Sequence, residues 1–267
     1  MHSSEPPRPA ARDFPGGRIV LLAGRMRRGD RLGHHDYRAG CALLDSLLRR
    51  SPGVEAASVR DGWPEDERVL DDARSLVCYG AGGGKQEFLG SAQRVERVQA
   101  LVDRAVGLVM IHQAVSVPPE WADRATQWLG GAHVRGRSGR GHWWTRHRSF
   151  PEHPATRGVE PWRIRDGWLN GIEFVDGLRG ITPLVWSGPR HRGTSAGGAG
   201  DVVGWAYERP GGGRSFCFSG LDAHSAWSHS GLRQLLVNGI LWSAGLAVPD
   251  GGAPCDVARK DLRAYLT

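Results

Sequence analysis

The sequence predicts a three-layer α/β fold: a mostly parallel sheet with helices on both faces. Two observations carry this. Short apolar runs alternate with amphipathic helical stretches through the first half of the chain. Each run is apolar at consecutive positions rather than at every second one, as a strand buried on both faces requires. A chain of 267 residues is long enough for one large domain with a substantial core.

The elements follow in order. RIVLLAG (18–24) reads as the first buried strand. DYRAGCALLDSLLRR (36–50) puts Ala39, Leu43, Leu44, Leu47 and Leu48 at helical spacing, with Asp36 as N-cap. GVEAASVR (53–60) is a second strand, and PEDERVLDDA (64–73) a short helix opened by proline and acids. SLVCYG (75–80) is a third strand, residues 86–105 a helix, and VGLVMIH (106–112) a fourth strand. Residues 130–160, rich in Gly, Arg, His and Trp with weak periodicity, read as a long irregular loop of the kind that carries function. Residues 162–174, 182–187, 202–209 and 214–220 read as strands, with a mobile loop over 188–201. SGLRQLLVNGILWSAG (230–245) is a helix that Ser230 caps and Gly245 stops, and the tail forms a last short helix. Nothing marks an interdomain linker. The reading is a disordered tail over 1–17 and a single flavodoxin- or Rossmann-like domain over 18–267.

Composition narrows the classes. No apolar run approaches the roughly 20 residues of a spanning helix, and the start has no apolar leader core. A cytoplasmic protein without a membrane partner is expected. Cys41, Cys78, Cys217 and Cys255 form no C-x-x-C pair, so they are expected as reduced thiols, the first three buried in the core. The net charge of +7 comes almost wholly from arginine, with lysine only at Lys85 and Lys260. Such a surface can favour anionic partners. Known nucleic-acid motifs are absent, and a nucleic-acid role is not expected.

In open parallel sheets, ligands bind at the carboxyl ends of the strands. Here those ends lead into GHHDY, GAGGGK, HQAV and LDAHSAWSH. The turns can bring His34 or His35, His112, and Asp222 or His224 to one mouth, and imidazole suits both acid–base work and metal ligation. GAGGGK lacks the spacing of a phosphate loop or a dinucleotide fingerprint, so no nucleotide cofactor is expected. No G-x-S-x-G elbow occurs. MIHQAV has the place of a nucleophile elbow but carries His112, with no cysteine there. RGHWWTRHRSFPEH can stack on a sugar ring, or simply cover the sheet.

Several motifs, in order, resemble one family. GHHDYRAGCALL is similar to GEHEFNAGCLLL, and VGLVMIHQAV to a strand ending in LHYA. GHWW with FPEHPATRG resembles HW and HPITRG. IRDGWLNGIEF resembles a DEWY strand, SGLDAHSAW an H-x-H turn, and LRQLLVNGILWSAG a closing helix. The family is the ThuA-like (trehalose-utilisation) proteins, a branch of the class I glutamine-amidotransferase-like fold, and the resemblance runs from about residue 18 to 246.

By position the resemblance marks His35, Asp36, His112, His142, Trp143, His153, Asp166, Trp168, Glu208 and His224. It implies a catalytic core of His35, His112, Asp166 and His224. It also implies substrate contacts from His142, Trp143, Trp168, Asp222 and Glu208. A divalent ion, Zn or Mn, would be held by His35, His112 and His224. Two departures stand out: the DEWY strand becomes Asp166-Gly167-Trp168-Leu169, and the first histidine of the H-x-H turn becomes Asp222; at a metal site these changes either swap a ligand, Asp222 for His, or abolish binding. A histidine expected near residue 28 is arginine. The implied function is a carbohydrate-active enzyme. It would move a proton next to the carbonyl of a keto-sugar or glycoside, leading to isomerisation, epimerisation or elimination. His112 or His35 would be the base, with Trp143 and Trp168 on the sugar face. Metal-dependent glycoside hydrolysis and a non-catalytic sugar-binding or scaffold role are the alternatives, and a homo-oligomer is compatible with each.

Overall fold

A computed structural model describes residues 17–27, 33–188 and 200–262. The tail expected over 1–17 therefore lies outside the described residues, except that Gly17 opens the first strand; so does most of the loop expected over 188–201, and so does Arg28. Among the described residues no helix is long and apolar enough to cross a membrane.

The chain runs β1 (Gly17–Ala23), α1 (Tyr37–Leu48), β2 (Val54–Val59), β3 (Ala73–Tyr79), α2 (Ala92–Asp103), β4 (Gly107–Ile111) and α3 (Ala122–Leu129). It continues through β5 (Gly131–Ala132), β6 (Gly139–His147), β7 (Trp162–Asn170), β8 (Glu173–Phe174), β9 (Ile181–Ser187), β10 (Asp201–Glu208), β11 (Arg214–Phe218), α4 (Ser230–Ser243) and α5 (Arg259–Leu262). Seven strands form the central sheet in the order β2-β1-β3-β4-β11-β10-β9. Pairing is parallel from β2 to β11, and antiparallel where β10 joins β11 and β9. The expected mostly parallel α/β fold is what forms.

Strand side chains alternate between two cores. Ile19, Leu21 and Ala23 face the layer built by α1 and α4, while Val20 and Leu22 face α2 and α3. Consecutive apolar residues were needed because both faces are covered. The four cysteines are free and buried among these layers, and burial pushes the Cys41 and Cys78 thiols up.

Several elements differ from the sequence reading. Residues 64–73 make only one 3₁₀ turn, Glu67–Leu70. The helix expected over 86–105 starts at Ala92, where Ser91 accepts the Arg94 amide. Helix α3 was not foreseen. The expected irregular excursion over 130–160 contains β6, which pairs with β7 in a separate antiparallel ribbon. Its outer residues are exposed along the strand, so no apolar run marks it. Asp36 holds the N-cap position of α1, yet its side chain makes no capping bond. Ser230 does not cap α4: it is the first helical residue, and its hydroxyl donates to Glu160 at 2.7 Å.

The ribbon is fastened across the sheet near the carboxyl ends of β11 and β4. Asn170 and the Gly171 amide donate to Asp201 at 3.0 and 3.1 Å. The Trp143 indole donates to Ser187 at 2.7 Å. Trp168 packs edge-on against Phe218, ring centres 5.7 Å apart. On the same side of the sheet as Trp168 and Phe218, α1 crosses Tyr79 closely at Gly40, where a Cβ would meet the Tyr79 ring. Tyr79 in turn donates its hydroxyl to the Leu221 carbonyl at 2.7 Å. A Gly40→Ala variant should therefore lose about 1–3 kcal/mol of stability through overpacking, read as a lowered denaturation midpoint; an unchanged midpoint would show that α1 can move away freely.

Candidate functional site

The site is built where three chain segments meet at the strand ends. The turn after β11 is anchored from below by Asp166 of β7. This buried carboxylate accepts four backbone N–H groups, from Gly167 at 2.9 Å, Leu221 at 2.6 Å, and Asp222 and Ala223 at 3.1 Å each. Burial pushes its pKa up, and the His112 ring and the amides pull the other way. The segment before α1 then docks on the same turn by backbone bonds: His35 N–H to the Asp222 carbonyl at 3.0 Å and His224 N–H to the Gly33 carbonyl at 2.7 Å.

On this frame four imidazoles surround the Asp222 carboxylate. His35 Nε2 lies 2.7 Å and His112 Nε2 3.4 Å from Oδ1. His34 Nδ1 lies 3.1 Å and His142 Nε2 2.8 Å from Oδ2. Burial alone would raise the Asp222 pKa; the surrounding imidazoles of His112, His35 and His142 hold it far below the usual carboxylate range instead. Its side chain is 7% exposed, against 55% for His142 and 4% for His112. The mouth of the site is therefore made by His142 with His34 and His35, and His112 forms its floor.

His35, His112 and Leu221 all have positive φ, at 56°, 57° and 75°. Non-glycine residues rarely adopt this conformation, and it is held only where surrounding contacts enforce it. It aims both imidazoles off their strand and helix ends toward Asp222.

The donor set fits a divalent cation. His35, His112 and Asp222 each offer one ligand atom, all within 4.8 Å of one another. His112 Nδ1 faces the Ser219 carbonyl at 3.2 Å, so that nitrogen carries the proton. Its Nε2 is then a buried lone pair without a hydrogen-bond partner, facing a carboxylate oxygen. Two acceptors facing each other need a proton or a cation between them, and an imidazole tied back to a carbonyl is the usual arrangement of a metal ligand. Two nitrogens and one carboxylate oxygen suit zinc or manganese.

The other marked residues fall differently. His224 is not in this cluster; it is buried within electrostatic range of Asp36, and burial pushes its pKa down and that of Asp36 up. Among the described residues, the group with metal-ligand spacing is His35, His112 and Asp222, without His224. Asp166 anchors the backbone rather than lining the mouth. Trp168 is buried under Phe218 and His147. Trp143 points inward to Ser187, away from the face that carries His142. Glu208 sits at the opposite end of β10, beside Arg214 at the start of β11. His153 accepts the Ala155 amide and packs on Trp242; burial holds its pKa down at about 4. His34, which the resemblance leaves at the margin because a glutamate stands there in the family, contacts Asp222 directly. Gln113 lies 3.1 Å from His35 and had no sequence signal beyond following His112.

Gly167 explains a departure seen in the sequence. A Cβ there would lie 2.7 Å from the Asp222 Cβ and 2.9 Å from its Cγ. The space left by the absent side chain is filled by the carboxylate. Gly167→Ala should displace Asp222 and cost about 1–3 kcal/mol; unchanged imidazole NMR signals and melting would show that the close approach is not needed. Asp222 also sets a pH dependence. Its folded pKa is depressed, so its contribution is complete above the unfolded value of about 3.9 and is lost only as pH falls through the lower folded value. The stability gap between wild type and Asp222→Asn should persist from pH 7 to 5 and close below about pH 4; a gap that closes between pH 7 and 5 would contradict this.

Two ThuA-like structures share this architecture. A ThuA-like protein from Parabacteroides merdae superposes with a TM-score of 0.59 at 16% identity, covering 92% of this chain and 99% of that one. A ThuA-like protein from Bacteroides uniformis gives 0.60 at 11% identity, covering 90% and 95%. A glutamine amidotransferase from Thermotoga maritima aligns at 0.45 with 13% identity, over 85% and 96%. No curated protein matches the sequence. The profile of the ThuA family, described as trehalose utilisation, matches residues 26–243, and the chain belongs to that carbohydrate-linked family.

Proposed function

We propose that this protein is an enzyme that moves a proton next to the carbonyl of a keto-sugar or keto-glycoside. The observation that carries the reading is the convergence of four imidazoles on the one buried, ionised Asp222 carboxylate. His142 donates Nε2–H to Asp222, so its Nδ1 presents a lone pair at the open mouth. That is the state of a general base held in one tautomer by a carboxylate. His142 is therefore the base in this reading, in place of the buried His112. The proton it takes from the carbon beside the carbonyl returns to the neighbouring carbon in isomerisation, or to the same carbon from the other face in epimerisation. In elimination the β-substituent leaves. His35 and His34 lie at the same mouth and can hold sugar hydroxyls. A divalent ion held by His35, His112 and Asp222 would supply polarisation of the carbonyl.

Hydrolysis by a carboxylate pair is not favoured, because Asp166 is committed to backbone amides and is not free to face Asp222 across a glycosidic bond.

Incubation with a 3-keto-glucoside in D₂O tests the reaction. The wild-type protein should exchange the proton next to the carbonyl, seen as loss of its NMR signal, and His142→Gln and Asp222→Asn should each slow this by about 100-fold or more. Absence of exchange by the wild type, or equal exchange by both variants, would overturn the reading. Metal analysis after incubation with zinc or manganese should find about one ion per chain in the wild type and less in Asp222→Asn; equal content would rule out the proposed ligand set.

A further inference from the structure

The outer face of the β6–β7 ribbon carries more charge than its fold requires. His142 lies on this face, directly opposite Gly167, and so do Arg140, Trp144 and Arg146 of β6 and Arg163 and Arg165 of β7. Trp144 is 59% exposed, the larger of two exposed large apolar side chains among the described residues. Arg165 stands directly across from it, and the Arg163 guanidinium lies over its ring at 4.4 Å. Arg146 and Arg163 are directly opposite each other in the register. Like charges in that relation destabilise a strand pair. Neither they nor Arg140 and Arg165 form an ion pair with any described acid, whereas Arg137, at the ribbon's edge, pairs with Glu173 at 2.8 Å. The repulsion is thus left uncompensated on the face that runs straight out of the Asp222 centre.

We propose that this face is a subsite for an anionic substituent of the substrate, an oxyanion such as a carboxylate, phosphate or sulfate on the sugar. The inference rests on the carbohydrate reading above and names the class of sugar. Trp144 supplies a flat apolar surface for a pyranose ring, with its nearest guanidinium already stacked on it. Arginine binds oxyanions through paired N–H donors, and an anion between Arg146 and Arg163 removes their mutual repulsion. From His142 to Arg146 is four residues, about 14 Å of strand, so an acid group held at this pair belongs to a sugar beyond the ring at Asp222. Arg165, two residues from Gly167, is placed for an acid group on the reacting ring itself.

Calorimetric titration of the full chain with methyl glucuronide, glucose 6-phosphate, cellobiuronic acid and neutral methyl glucoside tests this. At least one acidic sugar should bind about tenfold or more tightly than the neutral one, with the advantage shrinking as salt rises. Preference for glucuronide or glucose 6-phosphate places the anion at Arg165 and should be lost in Arg165→Gln. Preference for cellobiuronic acid alone places it at the distal pair and should be lost in the double variant Arg146→Gln/Arg163→Gln. These arginines are exposed, so melting of the variants no lower than that of the wild type confirms that folding is intact. Trp144→Ala should weaken acidic and neutral sugars alike. Equal binding of acidic and neutral sugars overturns the subsite and leaves the carbohydrate reading standing. Absence of binding by every sugar overturns both. Tight, steeply salt-dependent binding of single-stranded DNA without binding of acidic sugars would assign the face to nucleic acid instead.

Discussion

A single buried carboxylate fixes the geometry on which the rest of the site depends. Asp166 is removed from water at a cost that only several well-made hydrogen bonds can offset. It is given four, all from backbone amides, and three of them belong to the turn that follows β11. Backbone donors cannot swing away as side chains do. The turn is thereby held at a fixed height above β7, and Asp222 is held with it. The segment before α1 then attaches to that turn by its own backbone, so His34 and His35 inherit their positions from the same anchor. His112 arrives independently, at the end of β4, the central strand of the seven-stranded sheet.

The strain in the site is the counterpart of this rigidity. Three non-glycine residues in left-handed conformations around one carboxylate are each costly. They persist because Tyr79 holds the Leu221 carbonyl and Ser219 holds the His112 ring. A cluster of imidazoles about a buried negative charge is a preorganised electrostatic device: its groups need not reorient when a charge develops nearby.

The sheet was legible because its chemistry is repetitive. Apolar runs buried on two faces leave a plain trace, and the rule that ligands gather at strand ends narrowed the candidates to His34 or His35, His112, and Asp222 or His224 from their places after β1, β4 and β11. Legibility failed where one residue type serves two purposes. Asp166, mid-strand in β7, and Asp222, in a turn, are both buried acids, and nothing in the chain distinguishes the one that holds backbone from the one that faces the imidazoles. Trp143, Trp144 and Trp168 are alike in sequence; which is platform and which is core depends on the register of β6 against β7, a long-range pairing. Glu208 matched a motif but lies at the wrong end of an antiparallel strand. Its partner β7 was read as a strand, but β6 was hidden because an exposed, arginine-rich face leaves too few apolar residues to show a period of two.

Gly167 and Asp222 are neighbours in space although 55 positions apart in sequence, and the room for one is the missing side chain of the other. The two positions can only change together. A chain in which position 167 carries a glutamate has no room for a carboxylate reaching over from position 222, and it would bring its negative charge from the strand rather than from the turn. The glycine–aspartate pair therefore means that the pocket's acid comes from the turn after β11, and the strand that passes beneath it gives up its own side chain to make the room.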